Sequence, residues 1–179
     1  MAILVVAVAF VHFDFLGVFK PLEDCEVVSC DGKVVMLDGQ KAELLRLHNE
    51  ARAEHGVAPL CVQENLMAAA QRHAEGMIER DFYAPDTPEG LRPADRISRA
   101  GYPFATCGEN NNRVSGLDVG EPGREELREA FESWMESSGH RENILNPAFR
   151  EVGIGLSTGQ YAPEPGTTTM YVVDFGARC

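Results

Sequence analysis

Apolar positions recur at three- and four-residue spacing in four stretches of the chain, and each repeat predicts a helix with one buried stripe. Asp38 is a good N-cap for the first, in which Leu44, Leu47, His48 and Ala51 share a face before Gly56 closes it. The second, from about Glu64 to Arg80, puts Leu66, Ala69, Ala70, His73 and Met77 on one stripe. Pro93 suits the first turn of a short third helix that ends at Gly101. The fourth begins near Gly123, carries Leu127, Ala130, Phe131 and Trp134, and is expected to stop at Ser137, Ser138 and Gly139. A positive backbone dihedral at Gly139 then presents His140 from a turn, as one wall of a cleft.

The pattern changes after Pro147. VGIGLST (152–158) and TTMYVVDFG (168–176) are β-branched runs joined by a loop rich in turn residues, and they read as an antiparallel pair. Val27-Val28 and Val34-Val35-Met36 flank the turn signal Asp31-Gly32 and predict a small hairpin within a β-prone extension, residues 20–37. Helices first and strands last, without βαβ alternation, give an α+β domain whose sheet is covered by helices.

The chain of 179 residues fits one domain with a terminal extension. Its formal net charge of −12, with no Lys/Arg cluster, disfavours nucleic acid as a partner and repels an anionic membrane surface. Ala2 to Phe13 is an apolar run that suits the centre of a secretory signal over residues 1–19, in atypical or truncated form, because no Lys or Arg precedes it and Asp14 interrupts it. An N-terminal strand is the alternative. At fewer than the roughly 20 residues that span a bilayer, the run predicts no transmembrane anchor.

Five cysteines stand at Cys25, Cys30, Cys61, Cys107 and Cys179, none in a CxxC pair, and their expected use is disulfides in a secreted, extracellular protein. Two bonds and one free thiol can be drawn in 15 ways. Cys25–Cys30 is the local candidate, and Cys61–Cys179 is the preferred long-range bond, fastening the chain end to the helical layer.

Several motifs, in order, now resemble one family: LHNEAR (47–52), PLCVQENLMAAAQRHAEGM (59–77), TPEG (87–90), DRISRAGY (95–102), CGEN (107–110), SWMESSGHRENILNP (133–147), and the VGIGL and YVVDFG strands. The chain resembles the CAP superfamily of cysteine-rich secretory, antigen 5 and pathogenesis-related 1 proteins, in its bacterial and fungal SCP-like branch. The resemblance implies a three-layer α-β-α sandwich with a central antiparallel sheet, and a CAP/SCP domain over residues 38–179. It also implies a cleft lined by two histidines and two acidic residues, with zinc held by the histidines in some members.

Two of those four positions are kept here, Glu109 and His140. The place of the first histidine falls near Pro85, in YAPD (83–86), which contains none. The second glutamate falls on Ser137, with Glu136 adjacent. One imidazole and one carboxylate fall short of the three or four ligands that zinc needs, so a metal at His140 and Glu109 would require Asp86 or Glu136.

Glu109 and His140 are expected to pair, either as a structural hydrogen bond tying the GEN segment to a helix end or as a carboxylate-oriented base with water held by Ser137, Ser138 or Asn110. Asn110-Asn111-Asn112 reads as a turn, His48 and His73 as core histidines, and Cys107 as a disulfide cysteine before a nucleophile. No GxSxG elbow or HExxH helix is present. The expected function is a secreted binding or interaction module, with a small apolar ligand, a lipid or an extracellular protein or cell surface as partner and ligand contacts from Glu109, His140, Asn110 and Ser137. Enzymatic activity is not expected. A metal-assisted hydrolase using His140 and Glu109, and a structural domain with an inert cleft, are the alternatives.

Overall fold

The computed structural model describes residues 22–117 and 122–178. The expected signal segment and Cys179 lie outside them. All four helices expected from periodicity are present: α1 (Gly39–Glu54), α2 (Glu64–Glu79), α3 (Pro93–Arg99) and α4 (Arg124–Glu136). The Asp38 side chain caps α1 by accepting from the Lys41 N–H at 2.9 Å. The hairpin is also formed, by β1 (Cys25–Val28) and β2 (Val34–Leu37), with Gly32 at φ 77° in its turn.

A second sheet has the order β3-β5-β6-β4, built from β3 (Cys61–Val62), β4 (Thr106–Leu117), β5 (Glu151–Gln160) and β6 (Thr167–Ala177). It is antiparallel through β5, β6 and β4, and only the short β3 is parallel to its neighbour. One face meets α2 and α3. Val152, Ile154, Tyr171, Val173 and Phe175 on the other face enter the main core with Leu44, Leu127 and Trp134. This is the expected three-layer sandwich. Gly153 lets α2 press against β5, since a Cβ there would stand 2.0 Å from the Leu66 carbonyl carbon.

Three expectations are corrected. Asn110-Asn111-Asn112 is not a turn: the stretch lies inside β4, which pairs along its length with β6. A polar strand is stable there because its asparagines bond to neighbouring helices as well as standing in the ladder. His140 does not project from a glycine turn. The chain breaks at Ser137, in extended backbone (φ −80°, ψ 121°), which ends α4 (Arg124–Glu136) and starts α5 (Ser138–Leu145); Gly139 is helical.

The third correction concerns the disulfide, which joins Cys30 to Cys61 with Cα atoms 5.1 Å apart. Neither Cys25–Cys30 nor Cys61–Cys179 is formed. The hairpin explains this: Cys25 stands opposite Leu37 at its base, whereas the Cys30 N–H donates to the Val62 carbonyl at 2.9 Å and so lies beside β3. Cys25 and Cys107 are free.

Candidate functional site

Strand alternation sorts the CGENNN stretch of edge strand β4 onto two faces. Asn110 and Asn112 turn toward α4 and α5, where their amides donate to the carbonyls of His140 at 3.0 Å and Ala130 at 3.1 Å. Asn143 of α5 answers by donating to the Glu109 carbonyl at 3.2 Å and to Asn110 Oδ1 at 2.9 Å. Gly108 permits this approach, because a Cβ there would stand 2.8 Å from Asn143 Oδ1. These bonds fix His140 relative to β4 through backbone and amide contacts.

Cys107, Glu109 and Asn111 turn the other way. There Tyr83, Ala84 and Pro85, the first turn of α3 and His140 complete a cleft of about 550 Å³ over the sheet edge. Pro93 and Ala94 supply apolar wall, and the Tyr83 hydroxyl donates to the Asn111 carbonyl at 3.3 Å. Trp134 donates to the same carbonyl from the opposite layer at 3.0 Å.

The charge in this cleft is neutralised from within the protein. Arg96 Nη2 donates to Glu109 Oε2, and Asn111 Nδ2 donates to Oε1 at 2.9 Å. Arg96 Nη1 donates to the carbonyls of Pro85 at 2.6 Å and Leu91 at 3.0 Å. The guanidinium thus reaches both Glu109 and the segment where the family histidine would stand. Asp174 of β6 lies directly opposite Glu109 in the ladder and is 1% exposed.

No N–H or hydroxyl donor reaches either Asp174 oxygen among the described residues; its neighbour is the Glu109 carboxylate. Two carboxylates side by side and one arginine hold one net proton between the acids. Burial raises both pKa values, and Arg96 and Asn111 favour the ionised form at Glu109 while the neighbouring Glu109 raises Asp174 further, so the protonated form is favoured more strongly at Asp174.

His140 is half-buried, and burial alone lowers its pKa, which leaves it neutral at pH 7. Among the described residues no hydrogen bond or ion pair joins it to Glu109. The expected pair is therefore corrected: Arg96 already holds the carboxylate that would have oriented the imidazole. Burial, then the neighbouring acids Asp174 and Glu109, raise the pKa of the Cys107 thiol and keep it protonated, which disfavours a thiolate nucleophile.

The remaining site residues separate. Asn110 is fully buried, and Ser137 stands at the N-cap position of α5, outside the cleft lining, so Asn111 takes the polar position expected of Asn110. Asp86 and Glu136 are exposed and do not border the cleft. Among the described residues no three His, Cys, Asp or Glu side chains gather as a metal-ligand set. A zinc site does not fit residues arranged this way, because Arg96 occupies the carboxylate and the Pro85 carbonyl. His48 and His73 are core histidines, both pushed down to about 4 chiefly by burial.

Sequence reasoning missed Arg96 and Asp174. An aspartate inside the apolar run MYVVDFG was the available signal for one. Arg96, adjacent to the wholly buried Ile97 in a seven-residue helix, offered none.

Comparison with known proteins agrees with this architecture. The model of the cysteine-rich secretory protein family, CAP, matches residues 45–175. The uncharacterized protein YkwD of Bacillus subtilis (strain 168) is 30% identical over 113 residues, 63% of this chain and 40% of its own length. The uncharacterized membrane protein YlbC of the same organism is 28% identical over 121 residues, 66% of this chain and 32% of its own. The chain therefore spans well under half of the curated relatives it matches.

Two solved structures share the fold. An extracellular protein containing an SCP domain from Bacillus anthracis str. Ames gives a TM-score of 0.61 at 22% identity, over 82% of this chain and 47% of that one. An outer surface protein from Borrelia burgdorferi gives 0.62 at 17% identity, over 87% of this chain and 99% of that one.

Proposed function

Because the chain belongs to the cysteine-rich secretory protein (CAP) family, with a matched region of residues 45–175, we propose that it is an extracellular binding module whose cleft takes a small, largely apolar ligand without a metal. The observation that carries this reading is the cleft of about 550 Å³, walled by Tyr83, Pro85, Pro93 and Ala94, whose one carboxylate is already matched by Arg96. Ligand pockets of this kind run to about 300–1,000 Å³, apolar with a few polar groups that set orientation. His140 and Asn111 supply those groups. A disulfide between Cys30 and Cys61 suits an oxidising, extracellular setting.

The test is an amide NMR titration of the intact, chelator-treated chain with decanol. Saturable shifts confined to Tyr83, Ala94, Asn111 and His140 are expected. Ala94→Trp, which fills the cleft at an unchanged unfolding midpoint, should abolish them. Shifts that stay linear, or that survive Ala94→Trp, contradict an apolar cleft ligand.

A further inference from the structure

Strand alternation carries the cleft face of β4 one position beyond the cleft. Cys107, Glu109 and Asn111 border the cavity, whereas Arg113, the next residue on that face, does not. Tyr83 belongs to both places. It borders the cavity, and Arg113 lies over its ring, with the guanidinium carbon 4.8 Å from the ring centroid. Tyr83 therefore closes the cleft at the Asn111 end of the strand, and Arg113 backs it from outside.

The two side chains are held very differently. Tyr83 is 38% exposed, and its hydroxyl reaches the Asn111 carbonyl only at 3.3 Å. Arg113 is fixed by several contacts: Nη2 donates to Glu164 at 3.0 Å, Nη1 donates to the Tyr161 hydroxyl at 3.4 Å, and the guanidinium carbon stands 5.5 Å from the Tyr161 ring centroid. Tyr161 is 4% exposed and packs with Met77 and Met170, so the arginine is anchored to the core beneath α2. A cation over an aromatic face is attracted by the ring quadrupole, and an anchored arginine thus orients the ring stacked on it.

We propose that Tyr83 is the ligand-contacting end wall of the cleft and that Arg113 is its positioning residue, holding the ring so that an uncharged apolar group of the ligand lies against it. The inference rests on the apolar-cleft reading above and narrows it. Arg113 already supplies the cation on this ring, and a second cation across it would be repelled. The ligand group at Tyr83 is therefore neutral, a hydrocarbon chain or an uncharged ring. A wall ordered before the ligand arrives also removes the cost of ordering it on binding.

The experiment measures decanol affinity by amide NMR in the intact chain, in Arg113→Met, Arg113→Lys and Tyr83→Leu, and in the double variant Arg113→Met/Tyr83→Leu. Arg113→Met should weaken decanol by about threefold to tenfold, as expected when one side chain must be ordered on binding. Arg113→Lys, which keeps a cation over the ring, should recover most of that affinity. In the Tyr83→Leu background Arg113→Met should change affinity by less than about twofold, because no ring remains to be positioned. Ring-carbon relaxation of Tyr83 in the ligand-free protein should report an ordered ring in the parent and a mobile one in Arg113→Met. If decanol binds but Arg113→Met leaves its affinity unchanged, weakens it equally in the Tyr83→Leu background, or leaves the ring as ordered as before, the positioning role is overturned and the apolar-cleft reading stands. If decanol fails to saturate the parent, that reading fails and takes this inference with it.

Discussion

Arg96 and Glu109 form an ion pair with both side chains buried, 9% and 3% exposed, and the same guanidinium reaches across to the carbonyl of Pro85. The pair joins α3, the 83–85 segment and β4 into one wall of the cleft.

Removing one partner leaves the other charge buried without compensation. Arg96→Met should cost about 3–5 kcal/mol of stability, read from the urea midpoint at unchanged slope. Adding Glu109→Gln to that variant should recover part of the loss. If Arg96→Met alone is neutral, the pair does not hold the wall together.

Asp174 makes stability depend on pH in a particular direction. Its folded pKa is raised by burial and by Glu109, so between the unfolded value, about 3.9, and the folded one the native state binds more protons than the unfolded state. Stability from this group is therefore full below about pH 4 and is lost as pH rises through the folded pKa. Asp174→Asn removes the titration. The difference in unfolding free energy between variant and parent should move in the variant's favour from pH 4 toward neutral; a difference independent of pH would show that Asp174 does not hold the proton.

Cys30–Cys61 closes a loop with a sequence separation of 31 residues. Its removal by Cys30→Ser/Cys61→Ser should cost about 3–4 kcal/mol on chain entropy, whereas Cys25→Ser, at an exposed free thiol, should stay within about 0.5 kcal/mol. Thermal unfolding of the variants, with thiol counting of the parent, checks the pairing.

Asn110 ties the His140 carbonyl and the Asn143 amide to β4. Asn110→Ala should cost about 1–3 kcal/mol by leaving those groups short of partners. It should also broaden the His140 amide resonance, as the end of α5 loosens. A sharp, unshifted His140 would mean that α5 is held in place by packing of Ile144 alone.

Periodicity made α1, α2, the hairpin and the β5–β6 pair legible, because each has a clear apolar pattern bounded by caps or turn residues. It failed at β4, where CGENNNRVS carries no alternating apolar set. The strand exists through its pairing with β6 and through asparagine bonds to distant helices, a tertiary effect that no local window contains. The break at Ser137 was readable, but Gly139 was misread, since glycine also tolerates the first turn of a helix.

Of the site, motif order located Glu109 and His140, and both border the cleft. It could not show that they are not paired with each other. The partner of Glu109 comes from thirteen residues upstream, and its neighbour Asp174 comes from the far end of the chain. Disulfide pairing was illegible for a similar reason: the direction in which the hairpin delivers Cys30 depends on how β1 meets β3.

The most direct test of a metal-free apolar cleft is native mass spectrometry of the intact chain, purified without dialysis. The account predicts an adduct of lipid or small-molecule mass, no zinc, and loss of the adduct in Ala94→Trp. A zinc-mass adduct that disappears in His140→Ala would contradict it.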